Sequence, residues 1–224
     1  MRSPQLHSGA PATVDRYDRA TRTNHWITAI SFVLLALSGL ALYNPQLFFL
    51  TGIFGGGANA RALHPIIGVV LALSFTGMFL RFRKGNVWKP EDTVWMKDVS
   101  YVVSGEEENL PEVEKFNAGQ KVVFWAMTAA ITLLFVTGLI VWDEYLYDLT
   151  SIPVKRIAIL AHSLVATLAI LVLIIHVYAA IWVQGSFGAM LKGQVTAGWS
   201  WRHHRKWLRR LARGGVDDDM GSVR

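Results

Sequence analysis

The chain has 224 residues, of which 52% are hydrophobic and only 17% charged, with a formal net charge of +6 and no cysteine. Soluble domains carry about 25% charged residues, so this composition excludes disorder along the whole chain and argues against an ordinary water-soluble enzyme. The missing cysteine excludes disulfides, thiolate-bound zinc, iron–sulfur ligation, covalent c-type haem and thiol catalysis, and leaves histidine as the main candidate for metal chemistry.

Residues 1–20 read as a polar N-terminal segment. Beyond them the sequence predicts four apolar helices, at about 21–43, 63–82, 120–142 and 154–184. Each has the roughly 20 residues that a bilayer core requires. The fourth is longer than needed and should tilt or project beyond the bilayer. The first run starts too late and is too long for a cleaved signal peptide, so it reads as a retained span. Between the first two spans, Gly55–Gly57 predict a flexible loop tip. Segment 83–119 is too long for an idle link in a compact bundle. Its Trp88, Trp95, Met96 and Tyr101 predict surface or interfacial packing, and Glu106–Glu108 read as a solvated turn. Residues 185–224 form a basic tail whose end, with Gly214, Gly215 and Asp217–Asp219, predicts disorder. No internal repeat at a fixed period is evident. The fold class is all-α: a membrane protein built as a four-helix transmembrane bundle.

The basic residues orient the bundle. Of the 22 lysines and arginines, 19 lie before the first span, around segment 83–119 or after the fourth span, and 3 lie in the other two connections. The positive-inside rule then places both termini and the central segment in the cytoplasm. Connections 44–62 and 143–153 face outward, the latter with Asp143, Glu144 and Asp148. The charge of +6 is a matter of topology and requires no nucleic-acid partner.

Of seven histidines, His7 lies in the N-terminal segment, and His203 and His204 lie in the tail, which reads as a soluble cytoplasmic flap. His25, His64, His162 and His176 lie in spans or at span ends, where an ionisable residue is expensive and points to function. The alternating direction of the spans sorts them by depth. His25 and His176 form an inner pair, and His64 and His162 an outer pair. His162 and His176 are fourteen residues apart, which is about 21 Å of helix rise and about 40° short of four full turns, so both leave nearly the same face. A single membrane histidine is more often a helix–helix hydrogen-bond partner. Two depth-matched pairs point instead to two b-type haems, each held between two imidazoles without cysteine. Gly39, Gly68, Gly77, Gly138 and Ala169 would leave room for flat macrocycles. Zinc is a poorer reading, because no carboxylate or thiol completes either pair.

The residues also resemble a known family, the cytochrome b (gamma) subunit of membrane-bound respiratory formate dehydrogenases. The similarity runs roughly from Val14 to Leu208. It rests on RTNHW around His25, ALHPIIG around His64, KFNAGQK from Lys115 to Lys121, AHSLVATLAILVLIIHVYAAIWVQGS across His162 and His176, MLKGQV, and the WRHHRKW tail. The resemblance implies two haem b groups with these four axial ligands, in a bacterial cytoplasmic membrane. It implies as partners an iron–sulfur beta subunit and a catalytic alpha subunit carrying a molybdenum or tungsten pterin, both outside. Electrons from formate would enter at the outer haem and reach quinone, menaquinone or ubiquinone, near the inner one.

Asn117, Gly119 and Gln120 match the family's quinone pocket, and amide groups there can donate to a quinone carbonyl. The same residues also read as a helix N-cap turn. Arg19, Arg22 and Lys121 would neutralise haem propionates or lipid headgroups, or serve simply as positive-inside anchors. Trp26, Trp142, Tyr145 and Tyr147 read as interfacial-belt residues. Three other readings stay open. One is a cytochrome b of a hydrogenase or of another molybdenum oxidoreductase, and another is a stand-alone di-haem cytochrome. The third, a small proton- or metal-coupled transporter, would be expected to show broken helices or repeated halves.

Overall fold

The computed structural model describes residues 12–142 and 150–215. Four long helices dominate: α1 (Arg19–Tyr43), α2 (Gly57–Phe82), α5 (Ala118–Val141) and α6 (Ile152–Trp182). Each is long and apolar enough to cross a membrane. They fall on the four apolar runs, and their ends follow from local chemistry. Asp18 caps α1 by accepting a hydrogen bond from Thr21 N at 2.7 Å. Burial pushes the Asp18 carboxyl up, but hydrogen bonds from Thr21 and Arg81 outweigh that and hold it below its usual range. Asn117 and Gln120 close a reciprocal capping box on α5, at 2.9 and 3.0 Å. Pro153 sits in the first turn of α6, where its missing N–H costs nothing.

The second span starts well ahead of its apolar run. A 3-10 helix (Pro45–Phe54) leaves α1 and ends at Gly55 in the left-handed region, where glycine carries no Cβ penalty. The predicted loop tip is thus a tight turn feeding α2 directly.

The bundle is two antiparallel hairpins, α1 with α2 and α5 with α6, joined through contacts between α2 and α5. Its midsection is a plug of Phe32, Leu71, Phe75, Ile131 and Ala169, drawn from all four helices. α6 buries only Ala158 and Ala169 and exposes Leu160, Leu164, Leu168, Ile175 and Ile181. A helix apolar on all sides suits lipid rather than water.

Both ends of segment 83–119 and both described chain ends gather at one end of the bundle, the cap end. The opposite end holds the 3-10 helix that follows α1, the start of α2, the end of α5 and the start of α6. Segment 83–119 is not a plain loop: it contains α3 (Pro90–Lys97) and α4 (Ser100–Ser104). The tail continues as α7 (Ser186–Lys192), β2 (Gln194–Thr196), α8 (Ala197–His203) and α9 (Arg205–Ala212). β2 pairs antiparallel with β1 (Thr13–Asp15), Val14 opposite Val195. Trp207 is fully buried beneath this two-stranded sheet, with Val195 and Ala189. The tail is therefore folded as far as Gly215, through the position of Gly214 that the sequence assigns to disorder. The expectations for Asp217–Asp219, His7 and the acidic connection at 143–149, with Tyr145 and Tyr147, lie outside the described residues.

Arg16 is the keystone of the cap. Its guanidinium is buried, donates to Lys115 O at 2.5 Å, and lies about 5.0 Å over the rings of both Trp199 and Trp207. It also donates to His204 Nε2 at 3.2 Å, while His204 Nδ1 donates to Glu114 O at 2.8 Å. These two bonds fix a neutral tautomer, and complete burial, with Arg16 alongside, holds the imidazole well below its usual pKa. His204 is a structural lock, not part of a loose flap. Glu91–Lys206, Glu112–Arg209 and Glu114–Arg210 ion pairs fasten α9 onto the central segment.

Candidate functional site

The four membrane histidines come together in two pairs. His25 on α1 faces His176 on α6, with ring centroids 6.4 Å apart. His64 on α2 faces His162 on α6, at 6.3 Å. The first pair lies at the cap end and the second at the hairpin end, with the plug between them. Two imidazoles that held a metal directly between them, through bonds of about 2.0–2.1 Å and with each nitrogen about 1.1 Å from its ring centre, would have centroids about 6.3 Å apart. Among the described residues no group of three or more His, Asp or Glu stands together. Each pair therefore offers two nitrogens with no third His, Asp or Glu beside it among the described residues, a set that would suit a haem better than a zinc ion.

The hairpin-end pair has a support that sequence reading missed. His64 Nδ1 lies 2.7 Å from Ser38 Oγ, and His162 Nδ1 lies 2.9 Å from Thr137 Oγ1. Ser38 Oγ also donates to Leu34 O at 2.9 Å, and Thr137 Oγ1 to Leu133 O at 2.7 Å. With each hydroxyl proton on a backbone carbonyl, its lone pairs accept from the imidazole. Both histidines are then Nδ1–H tautomers with Nε2 left for a metal.

The next residue in each helix is glycine. A Cβ on Gly39 would lie 3.4 Å from His64 Cε1, and one on Gly138 would lie 3.5 Å from His162 Cε1. The unit Ser/Thr-Gly-Leu followed by a histidine 26 or 25 positions later thus occurs once in each hairpin. The two spacings differ by one residue, so this is a local correspondence and not a repeat at a fixed period. It is confined to a few positions, and it could have been found by aligning LSGLALY and LHPIIG with VTGLIVW and AHSLVA.

Of the other small residues, Gly77 and Ala169 serve different purposes. Gly77 admits Asn24, whose Nδ2 would be 3.1 Å from a Cβ there, and Gly68 faces open space. Ala169 is fully buried in the plug.

The cap-end pair is held by its helices rather than through its rings. Asn24, beside His25, donates to Ser74 O at 3.0 Å and accepts from Ser74 Oγ at 2.6 Å. Thr28 and Ser74 hydroxyls meet at 2.8 Å, completing a polar seam between α1 and α2. Trp26 packs edge-on against His25 and donates to Met190 O. His25 Nδ1 is buried and finds no partner among the described residues.

Asn117, Gly119 and Gln120 lie at the same end, at the start of α5. The side-chain oxygens of Asn117 and Gln120 are used in the capping box, and their NH2 groups find no acceptor among the described residues. Gly119 lets Trp95 pack closely, since a Cβ there would lie 3.3 Å from the indole edge. Lys121 is not available to a propionate. It is buried against Asp92 at 2.6 Å and donates to Val87 O. Arg22 donates to Leu191 O.

A family model described as prokaryotic cytochrome b561 matches residues 16–193. The formate dehydrogenase cytochrome b556(fdo) subunit of Escherichia coli K12 is 42% identical over 199 residues, covering 89% of this chain and 93% of that protein. The formate dehydrogenase cytochrome b556 subunit of Haemophilus influenzae is 35% identical over 205 residues, covering 92% and 86%. The nitrate-inducible cytochrome b556(Fdn) subunit of E. coli K12 is 36% identical over 190 residues, covering 85% and 88%.

Proposed function

The chain belongs to the prokaryotic cytochrome b561 family, and on that premise we propose that it is the membrane cytochrome b subunit of a formate dehydrogenase, linking formate oxidation on partner subunits to quinone reduction. The similarity to formate dehydrogenase cytochrome b556 subunits supports the partner, and the observation that carries the haem reading is the spacing of the two histidine pairs, 6.3 and 6.4 Å between ring centroids. His64 and His162 would hold one haem b near the hairpin end, and His25 and His176 a second near the cap end. When bound, these groups supply one-electron carriers, one toward each face of the membrane. The residues around them hold the imidazoles, shield the sites behind the apolar plug and keep a fixed depth in the bilayer.

The cap end is assigned to the cytoplasm because 19 of the 22 basic residues lie, in sequence, before the first span, around the central segment or after the fourth span. The hairpin end then faces outward, where an iron–sulfur subunit and a molybdenum or tungsten subunit would dock. In a bacterium this is the cytoplasmic membrane. The unused NH2 groups of Asn117 and Gln120 would donate to a quinone carbonyl, and the cytoplasm would supply the protons.

Haem quantitation with an optical spectrum of the purified complex tests the reading. Two b haems per chain, and co-purification with a formate-oxidising subunit, are expected. Absence of a reduced b-type band would overturn it. Co-purification with a hydrogenase or another molybdenum oxidoreductase instead would reassign the partner.

A further inference from the structure

Hydroxyl groups that bond back to the carbonyl one turn earlier are ordinary in apolar helices. Thr76, Thr128, Thr132 and Thr167 all do so here. Ser38 and Thr137 do the same and, in addition, take a histidine Nδ1. They stand at matching places in the two hairpins, each followed by a glycine lying against the same ring. Ser38 is completely buried, so its hydroxyl has no water to serve. Two positions that share this arrangement, on the two ligands of one pair, indicate a common task.

We propose that Ser38 and Thr137 are positioning residues for the hairpin-end metal centre, holding His64 and His162 as Nδ1–H donors and lowering the potential of the iron between them. The inference rests on the haem reading above and extends it to residues that make no contact with the metal. The reasoning is chemical. A ring that donates from Nδ1 is a stronger electron donor through Nε2, and outer hydrogen bonds of this type tune affinity and potential. A stronger donor favours ferric over ferrous iron, so the potential falls. Each hydroxyl is itself polarised by donating to the Leu34 or Leu133 carbonyl, which makes its lone pair a better acceptor. The two hydroxyls would act on the same centre, one through His64 and the other through His162. The cap-end pair lacks a hydroxyl of this kind at His25 and serves as an internal reference within the same molecule.

The test is a potentiometric titration of the purified complex, followed optically, with haem content measured on the same samples. Ser38→Ala and Thr137→Ala should each raise the hairpin-end midpoint potential, and the double variant should raise it further. The cap-end potential should stay in place. Ser38→Thr and Thr137→Ser keep the hydroxyl and should keep the native potential. If an alanine variant loses the hairpin-end haem, retention by the matching hydroxyl-keeping variant supports the positioning role. Loss from both kinds of variant overturns it, because shape and not the hydroxyl would then be decisive. Two haems with unmoved potentials in both alanine variants overturns the inference and leaves the functional reading intact. A native complex without haem removes that reading, and this inference with it.

Discussion

The two histidine pairs share one spacing and are built in opposite ways. At the hairpin end, both histidines sit on the second helix of a hairpin and rest on a Ser/Thr-Gly unit from the first, so the two supports correspond. At the cap end, one histidine comes from the start of α1 and the other from the far part of α6, and the correspondence is gone. What replaces it is an Asn24–Thr28–Ser74 seam and a folded cap made from both ends of the chain. The hairpin end thus depends on contacts within each hairpin, whereas the other end depends on segments nearly 200 residues apart. Damage to either end should therefore leave the other largely intact.

Removing ligands breaks this comparison most sharply. His64→Ala or His162→Ala should halve the haem content and abolish only the hairpin-end signal in a redox titration. His25→Ala or His176→Ala should do the converse. Loss of both haems from a single replacement would show that the ends are not independent.

Asp92→Ala comes next. It leaves the Lys121 ammonium buried without its partner, and breaking such a pair costs about 3–5 kcal/mol. The loss should appear as a lower thermal midpoint and faster amide exchange in α3 and the start of α5, with the hairpin-end haem retained.

A smaller effect separates two roles of Asn117. Asn117→Ser keeps an N-cap of similar quality but removes the amide donor. It should leave thermal stability almost unchanged and raise the KM for quinone severalfold. Asn117→Ala should cost about 0.5–2 kcal/mol of stability as well. An unchanged KM in the serine variant would reduce the residue to a cap.

The smallest effect is on pH dependence. Burial holds folded His204 below its usual value of 6.5, whereas an unfolded cap binds a proton near that value. Between the two values the unfolded state carries more protons, so cap stability is complete above about pH 6.5 and declines as pH falls below it. Arg16, His203 and the Glu114 carbonyl face this ring, so protonation would also put a cation against Arg16. Acidification from pH 7.5 to 5.5 should speed proteolysis between Gln194 and Ala212. His204→Gln should flatten that dependence while leaving the haem content of the hairpin end alone.

Much of this was legible in the residues. The apolar runs gave the four helices because a bilayer demands length and hydrophobicity and little else. The alternation of span direction sorted four histidines into two pairs without any packing information. The N-cap turn before the third long helix was readable from the residues, whereas its closure as a capping box by Gln120 came from the structure. The serine and threonine behind the outer rings were not legible, because hydroxyls in apolar helices usually bond only to their own backbone, and nothing local marks the two exceptions.

Lys121 illustrates the same limit. Its charge suggested a haem propionate, but its partner Asp92 lies on a short helix whose packing no periodicity reveals. The tail looked like a basic flap for a similar reason. Its three-residue strand pairs only with Val14 and its neighbours, and its arginines meet acids of the central segment.

By itself, then, the sequence determined how many long apolar helices there are, how they alternate and which histidines share a depth, since these depend on composition and order along the chain. Only the tertiary structure decided what holds each ring, which charges are already paired and how the two chain ends close into a cap. Those depend on which side chains meet across helices, and in an apolar bundle the few polar contacts that fix this are scattered singly along runs of otherwise interchangeable residues.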